Sequence, residues 1–271
     1  MNKNSLSPIG IFDSGIGGLT VAHAIKNILP NERLIYFGDT AHLPYGDKSA
    51  AAVQAYSIKI TDLLIKRGCK VIVIACNTAS AVANDLLKAY AASKAKVINV
   101  VDPMVKMVAN STSNEKVGVI GTKGTIASGI YKTKLNVLKP SLIVNELATP
   151  LLVPMIEEGF IHNKVSADII ESYLTDNSLM DISHLVLGCT HYPLIKDEID
   201  KFYSKKITIY DSSVVTAQYL KKFLQQNNLL NINGKNEADH FYVSDFTQDF
   251  EDSAQHFFGE NVHLEEYKLW E

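Results

Sequence analysis

The sequence predicts an α/β fold: two pseudo-symmetric, doubly wound parallel-sheet lobes with an active site in the cleft between them. Three observations predict it. The apolar runs are short, continuous and rich in Val and Ile, the pattern of strands buried on both faces of a parallel sheet. Helix-length amphipathic stretches separate these runs, so strand and helix alternate along the chain. The chain also repeats a plan. GIFDSGIGG at 10–18 is a strand, a polar pair and then glycines, and GVIGTKG at 118–124 follows the same plan 108 residues later. VIVIACNTAS at 71–80 and LVLGCTHYP at 185–193 each end a strand in cysteine among polar groups, and Cys76 and Cys189 lie 113 residues apart. Offsets so similar read as two homologous lobes.

Taken in order, a strand at 9–12 runs through a glycine-rich turn into a helix at 18–29. A strand at 34–37 leads to the loop AHLPYGD at 41–47 and a helix at 49–67. A strand at 71–75 feeds a helix at 79–92, and a strand at 97–100 closes the first set. Strands at 117–120, 142–145, 185–187 and 207–210 form the second set, with helices at 166–175 and 214–226. Boundaries near 99–102 and 211 divide the chain into a first lobe, 1–98 plus 211–271, and a second, 99–210. The stretch 237–271 carries ten acids against one lysine, but its FYVSDFTQDFEDSAQHFFG has a strand-then-helix pattern. It reads as a folded cap on the first lobe rather than a tail.

Composition sets the outer limits. With 271 residues, 46% hydrophobic and 20% charged, the chain is long enough for two packed domains and too apolar for disorder. The net charge of −3, with no long basic run, favours neither nucleic acid nor an anionic membrane as partner. Three cysteines cannot build a disulfide framework and fit a reducing compartment. The opening MNKNSLSPIGIF lacks the apolar stretch of a signal peptide, and no run approaches the roughly 18 apolar residues of a membrane span. A cytoplasmic protein is therefore expected.

In open α/β sheets the ligand sits beyond the carboxyl ends of the strands, and every polar cluster of this sequence falls there. DSGIGG at 13–18 has one rival reading as a dinucleotide fingerprint, since GxG follows a strand and Asp39 lies 22 residues beyond Gly17. Against it, the third glycine position is Thr20, and Asp13 would set a negative charge against a pyrophosphate. No Gly-Lys-Ser/Thr of a Walker loop is present. What remains is an anion-friendly helix start beside a carboxylate, suited to a ligand bearing both carboxylate and ammonium.

Buried cysteine commonly needs no function, and Cys69, at a strand entrance, takes that reading. Cys76 and Cys189 do not, because both end strands at the ligand crevice among polar neighbours: Asn77 and Thr78, Thr190 and His191. The Cys-x-His spacing fits no zinc site, so no metal is expected, and a redox Cys-x-x-Cys is missing. Two thiols facing each other across a cleft can invert a stereocentre, one removing a proton from carbon and the other returning one on the opposite face. Asp13, by strand order, neighbours Cys76, and His191 is two residues from Cys189. The turn at 44–46 offers backbone donors and the Tyr45 phenol to a ligand carboxylate. Glu157 and Glu158 begin or end a helix, where solvated surface acids are the default.

DSGIGG, GDTAHLPYGDKS, ACNTAS, VGVIGTKGTI and LGCTHYPLI, in this order, resemble the cofactor-independent Asp/Glu racemase family, and DSGIGG with PYG resembles its glutamate-specific branch. The resemblance runs from about residue 9 to 211 and includes FYVSD near the end. It implies that Cys76 and Cys189 are the catalytic thiols, serving D- and L-glutamate respectively, assisted by Asp13 and His191, with Glu157 a further assisting acid. It implies substrate contacts at Ser14, Tyr45, Gly46, Asn77, Thr78, Thr190 and Thr122. It also implies no cofactor, a homodimer, and supply of D-glutamate to peptidoglycan synthesis. The alternatives within the family are aspartate and hydantoin racemases; outside it, a nucleotide-binding module. The chain departs from the family's commonest pattern at Ala148-Thr149-Pro150, where many relatives carry a cysteine before the proline.

Overall fold

The structure, a computed structural model, describes residues 4–113, 115–234 and 237–271. Its strands are β1 (Ile9–Asp13), β2 (Leu34–Gly38), β3 (Val71–Ile74), β4 (Lys96–Asn99), β5 (Lys116–Gly121), β6 (Ile143–Ala148), β7 (His184–Gly188), β8 (Thr208–Asp211), β9 (His240–Val243) and β10 (Glu265–Glu266). The helices of the first half are α1 (Leu19–Ile28), α2 (Ala50–Lys66), α3 (Asn77–Ala91), α4 (Val101–Ser111), α5 (Lys123–Ala127) and α6 (Ile130–Leu138). Those of the second are α7 (Leu152–Glu157), α8 (Lys164–Leu174), α9 (Lys196–Phe202), α10 (Ser212–Gln226) and α11 (Gln248–Phe258).

Two sheets form, in the orders β10-β9-β2-β1-β3-β4 and β6-β5-β7-β8, and every pairing in both is parallel. β1 and β3 are buried along their whole length, as central strands covered by helices on both faces must be. Ile9 and Ile11 pack into one apolar cluster and Phe12 into the other, following the two-residue alternation of a strand. Gly10 occurs where a Cβ would lie 3.0 Å from the buried Cys69 sulfur, so Cys69 fills the space a side chain would need.

The expected strand at 142–145 is observed as β6, which runs on to Ala148. It is an edge strand whose last four residues are half-buried, so its polar end carries no apolar signal. The helix α4 occupies the stretch taken for a boundary; Pro103 lies in its first turn, where a missing N–H breaks no helical bond. The end segment adds β9 and β10 to the edge of the first sheet, and α11 packs on α1. The chain crosses between the sheets at α4 and returns through α10, which packs on α1. Among the described residues no helix is long and apolar enough to cross a membrane.

Candidate active site

Strand register brings the site together. Phe12 is opposite Ile74 in the first sheet and Gly121 opposite Gly188 in the second. The residues that follow, Asp13 near Cys76 and Thr122 near Cys189, therefore emerge at neighbouring strand ends. The two sets of ends line one shared pocket. Ser14, Tyr45, Gly46, Cys76, Asn77 and Thr78 wall it on the side of the first sheet. Thr122, Glu157, Cys189, Thr190 and His191 wall it on the side of the second. Of the residues expected at the site, Asp13 alone is off this wall, wholly buried behind it.

Cys76 caps α3, its sulfur accepting the Ala79 N–H at 3.4 Å, with the Ser14 hydroxyl 3.8 Å away. A helix N-terminus favours a thiolate, but here burial, and then the Asp13 charge, outweigh it and push the thiol up to about 12. Cys76 is a protonated thiol at neutral pH. Asp13 holds the turn that follows β1: one carboxylate oxygen accepts the N–H groups of Gly15 at 3.2 Å and Gly18 at 3.0 Å. Burial raises its pKa despite those bonds and the nearby His191 cation, and its other oxygen is buried with no hydrogen-bond partner.

Cys189 has the opposite surroundings. Nδ1 of His191 lies 3.6 Å from its sulfur, and Nε2 lies 2.9 Å from Oε1 of Glu157, at the end of α7. Burial alone would lower the imidazolium pKa, but the charges and hydrogen bonds of Cys189 and Glu157 prevail and raise it to about 10. His191 is thus a buried group held between the Cys189 sulfur and the Glu157 carboxylate. It fits there because of Gly17, where a Cβ would stand 2.3 Å from the ring's Cε1. Phe257 of α11 meets the same ring edge-on at 5.0 Å.

Polar side chains close the seam between the sheets. The Tyr131 hydroxyl of α6 donates to Oδ1 of Asn77 at 2.6 Å, leaving the Asn77 amide nitrogen buried and unpartnered at the cavity wall. The Thr78 and Thr122 hydroxyls meet at 2.9 Å, and the Thr20 hydroxyl lies 2.9 Å from the Thr190 carbonyl. The Tyr45 phenol turns away from the cavity and donates to Asp39 at 2.7 Å, so the 44–46 turn presents backbone rather than a hydroxyl to a ligand. Asp39 itself is buried and saturated with protein donors, which removes it as a ribose contact. Among the described residues no group of three or more His, Cys, Asp or Glu could hold a metal ion.

Two thiols thus share one pocket, one beside a carboxylate and one beside an imidazole. The model of the Asp/Glu/hydantoin racemases matches residues 18–220. The chain belongs to that family. Among its relatives, the glutamate racemase of Chlorobaculum parvum is 42% identical over 94% of this chain and 94% of its own. The crystal structure of glutamate racemase from Francisella tularensis in complex with D-glutamate superposes with a TM-score of 0.91, at 39% identity over 98% of this chain and 99% of that one. An aspartate racemase homologue from Pyrococcus horikoshii shares the fold at 19% identity and a TM-score of 0.58, covering 81% of this chain and 99% of that one.

In this racemase, Leu43 and Val153 also line the cavity although the sequence did not single them out as site residues. Leu43 carries a signal only through adjacency to the 44–46 turn, whereas Val153, on a short helix, is indistinguishable from core. Glu157 departs from the default of a solvated acid because α7 ends against His191; Glu158, one residue on, is exposed.

Proposed function

We propose that this racemase interconverts L- and D-glutamate by two-thiol proton transfer, with no cofactor, and supplies D-glutamate to peptidoglycan synthesis. The observation that carries the mechanism is the unlike pair of thiols in one cavity: Cys76 is held as an acid, while Cys189 has an imidazolium against its sulfur. From L-glutamate, the Cys189 thiolate takes the α-proton and the Cys76 thiol delivers its own to the opposite face. The reverse reaction starts with the thiolate on Cys76. His191, supported by Glu157, balances charge beside Cys189, and Asp13 sets the field at Cys76.

Glutamate matches the polar groups on offer. The unpartnered Asn77 amide and the free N–H groups of the first turn of α3 suit an α-carboxylate, whose resonance shares the developing negative charge. The N–H groups of the 44–46 turn suit the distal carboxylate, and Ser14, Thr78, Thr122 and Thr190 supply hydroxyls around the ammonium and both carboxylates. The high identity to glutamate racemases, against 19% to the aspartate homologue, supports this choice of substrate. We further assign residues 1–98 with 211–271 to one lobe and 99–210 to the other, and the protein to the cytoplasm as a homodimer, as its family resemblance implies.

The test is optical. Protein dialysed against a chelator, with no coenzyme added, is expected to drive the circular dichroism of L-glutamate to zero. An unchanged signal, or loss only after adding zinc or pyridoxal phosphate, contradicts the proposal.

A further inference from the structure

Asp39 follows β2 at a strand end of the first sheet, is wholly buried, and stands outside the cavity wall. Side chains from separate parts of the chain converge on it. Oδ2 accepts the Tyr45 hydroxyl at 2.7 Å; Oδ1 accepts the Ser244 hydroxyl and the Trp270 indole N–H, each at 2.8 Å. Nδ1 of His42 lies 3.0 Å from both oxygens. Four side chains use the hydrogen-bonding capacity of one carboxyl group.

The donors join the substrate loop to the last strands of the first sheet. Ser244 follows β9, and Tyr267 N–H bonds back to the Val243 carbonyl at 2.8 Å, which fixes the strap of residues 267–271 along the sheet edge. The Trp270 ring meets His42 edge-on at 4.5 Å and Tyr56 at 5.4 Å; Tyr56 stacks on His42 at 4.0 Å and lies 5.8 Å from Tyr45. The 43–46 loop thus has one face toward the cavity and the other bonded and packed onto this cluster.

We propose that Trp270 and Ser244, acting through Asp39, are positioning residues for the 43–46 loop, so that the strap sets how tightly the racemase holds glutamate. This rests on the reading that the loop binds substrate. Neither residue lines the cavity, and neither meets the reacting carbon. Losing either donor removes one of the bonds that fix the orientation of the Asp39 carboxylate, and so loosens its hold on Tyr45 and the loop.

The experiment compares steady-state kinetics of Trp270→Phe, Ser244→Ala and Gly46→Ala in both directions. Phe keeps an aromatic six-membered ring but removes the N–H together with the rest of the indole, and Ala removes only a hydroxyl. Each is expected to raise KM for both enantiomers about tenfold while kcat stays within about twofold and the melting temperature within a few degrees. Gly46→Ala is the control on the loop itself, because its Cβ would lie 2.9 Å from Thr122 across the cavity. A raised KM in Gly46→Ala with unchanged KM in the other two overturns the inference and leaves the loop reading standing. Unchanged KM in Gly46→Ala removes the loop reading and the inference with it. A parallel fall in kcat and melting temperature for Trp270→Phe would assign the residue a purely structural role and overturn the inference.

Discussion

His191 and Glu157 are joined at 2.9 Å through the imidazole Nε2, which leaves Nδ1 facing the Cys189 sulfur at 3.6 Å. Burial alone would lower the ring's pKa, but Cys189 first and then the carboxylate raise it, and the carboxylate also fixes the ring's orientation. Positioning by Glu157 and charge balance by His191 are therefore one device. Cys76 has no equivalent cation, and its partner in charge is Asp13, of the opposite sign.

This pairing makes a pH prediction. The His191 pKa is raised from its ordinary value of 6.5 to about 10, so its charge contributes stability that is complete below pH 6.5 and lost as pH rises through about 10. The alkaline limb of kcat/KM should follow the same loss. Glu157→Gln keeps a hydrogen-bonding group and removes the charge, so the limb should move to lower pH, with kcat/KM at about pH 8 down on the order of tenfold. A pH–rate series on both proteins measures it; superimposable alkaline limbs would remove Glu157 from the mechanism.

Gly17→Ala should be more damaging than an alanine in a glycine-rich turn usually is. The added Cβ would stand 2.3 Å from Cε1 and 2.4 Å from Nδ1 of His191, so the ring must leave Cys189. Displacement of about 1 Å at a reacting group can cost on the order of a hundredfold in rate, and kcat should fall by about that much. The check is kcat in both directions together with a melting curve, which should show a folded protein.

Much of this was legible in the sequence because the chemistry sits on strand ends. The run VIVIA must be a buried strand, LVLG likewise, and a cysteine directly after each has to meet the crevice. The repeated plan pairs them. Glu157 was not legible by pattern: an acid closing a six-residue helix looks solvated until the second lobe folds it onto His191. Asp39 was legible as an unusual acid at a strand end but not in its role, since its donors Ser244 and Trp270 lie 205 and 231 residues away. Gly17 reads as part of an anion-friendly helix start; the ring it makes room for comes from the other sheet. Contacts made across lobes leave no local periodicity to read.

Aspartate should be a poor substrate. Its chain is one methylene shorter, so its α-carbon cannot sit between the two sulfurs while both carboxylates keep their donors. Misplacement costs about a hundredfold in rate, and unpaired donors of the distal site add about 1–3 kcal/mol. The ratio of kcat/KM for glutamate over aspartate should exceed a hundred by this estimate, on the order of the misplacement term alone. Comparable values would show that the 44–46 turn does not hold the distal carboxylate.

The central claim is that one thiol removes the α-proton and a different thiol returns one. Racemisation of L-glutamate in heavy water, sampled over the first few per cent of conversion, tests it most directly. Two bases predict D-glutamate that carries deuterium at the α-carbon and residual L-glutamate that does not, with the deuterated D-glutamate lost in Cys76→Ala and Cys189→Ala proteins that remain folded. D-glutamate that retains protium, or either single-cysteine variant racemising at the wild-type rate, would contradict the two-thiol account.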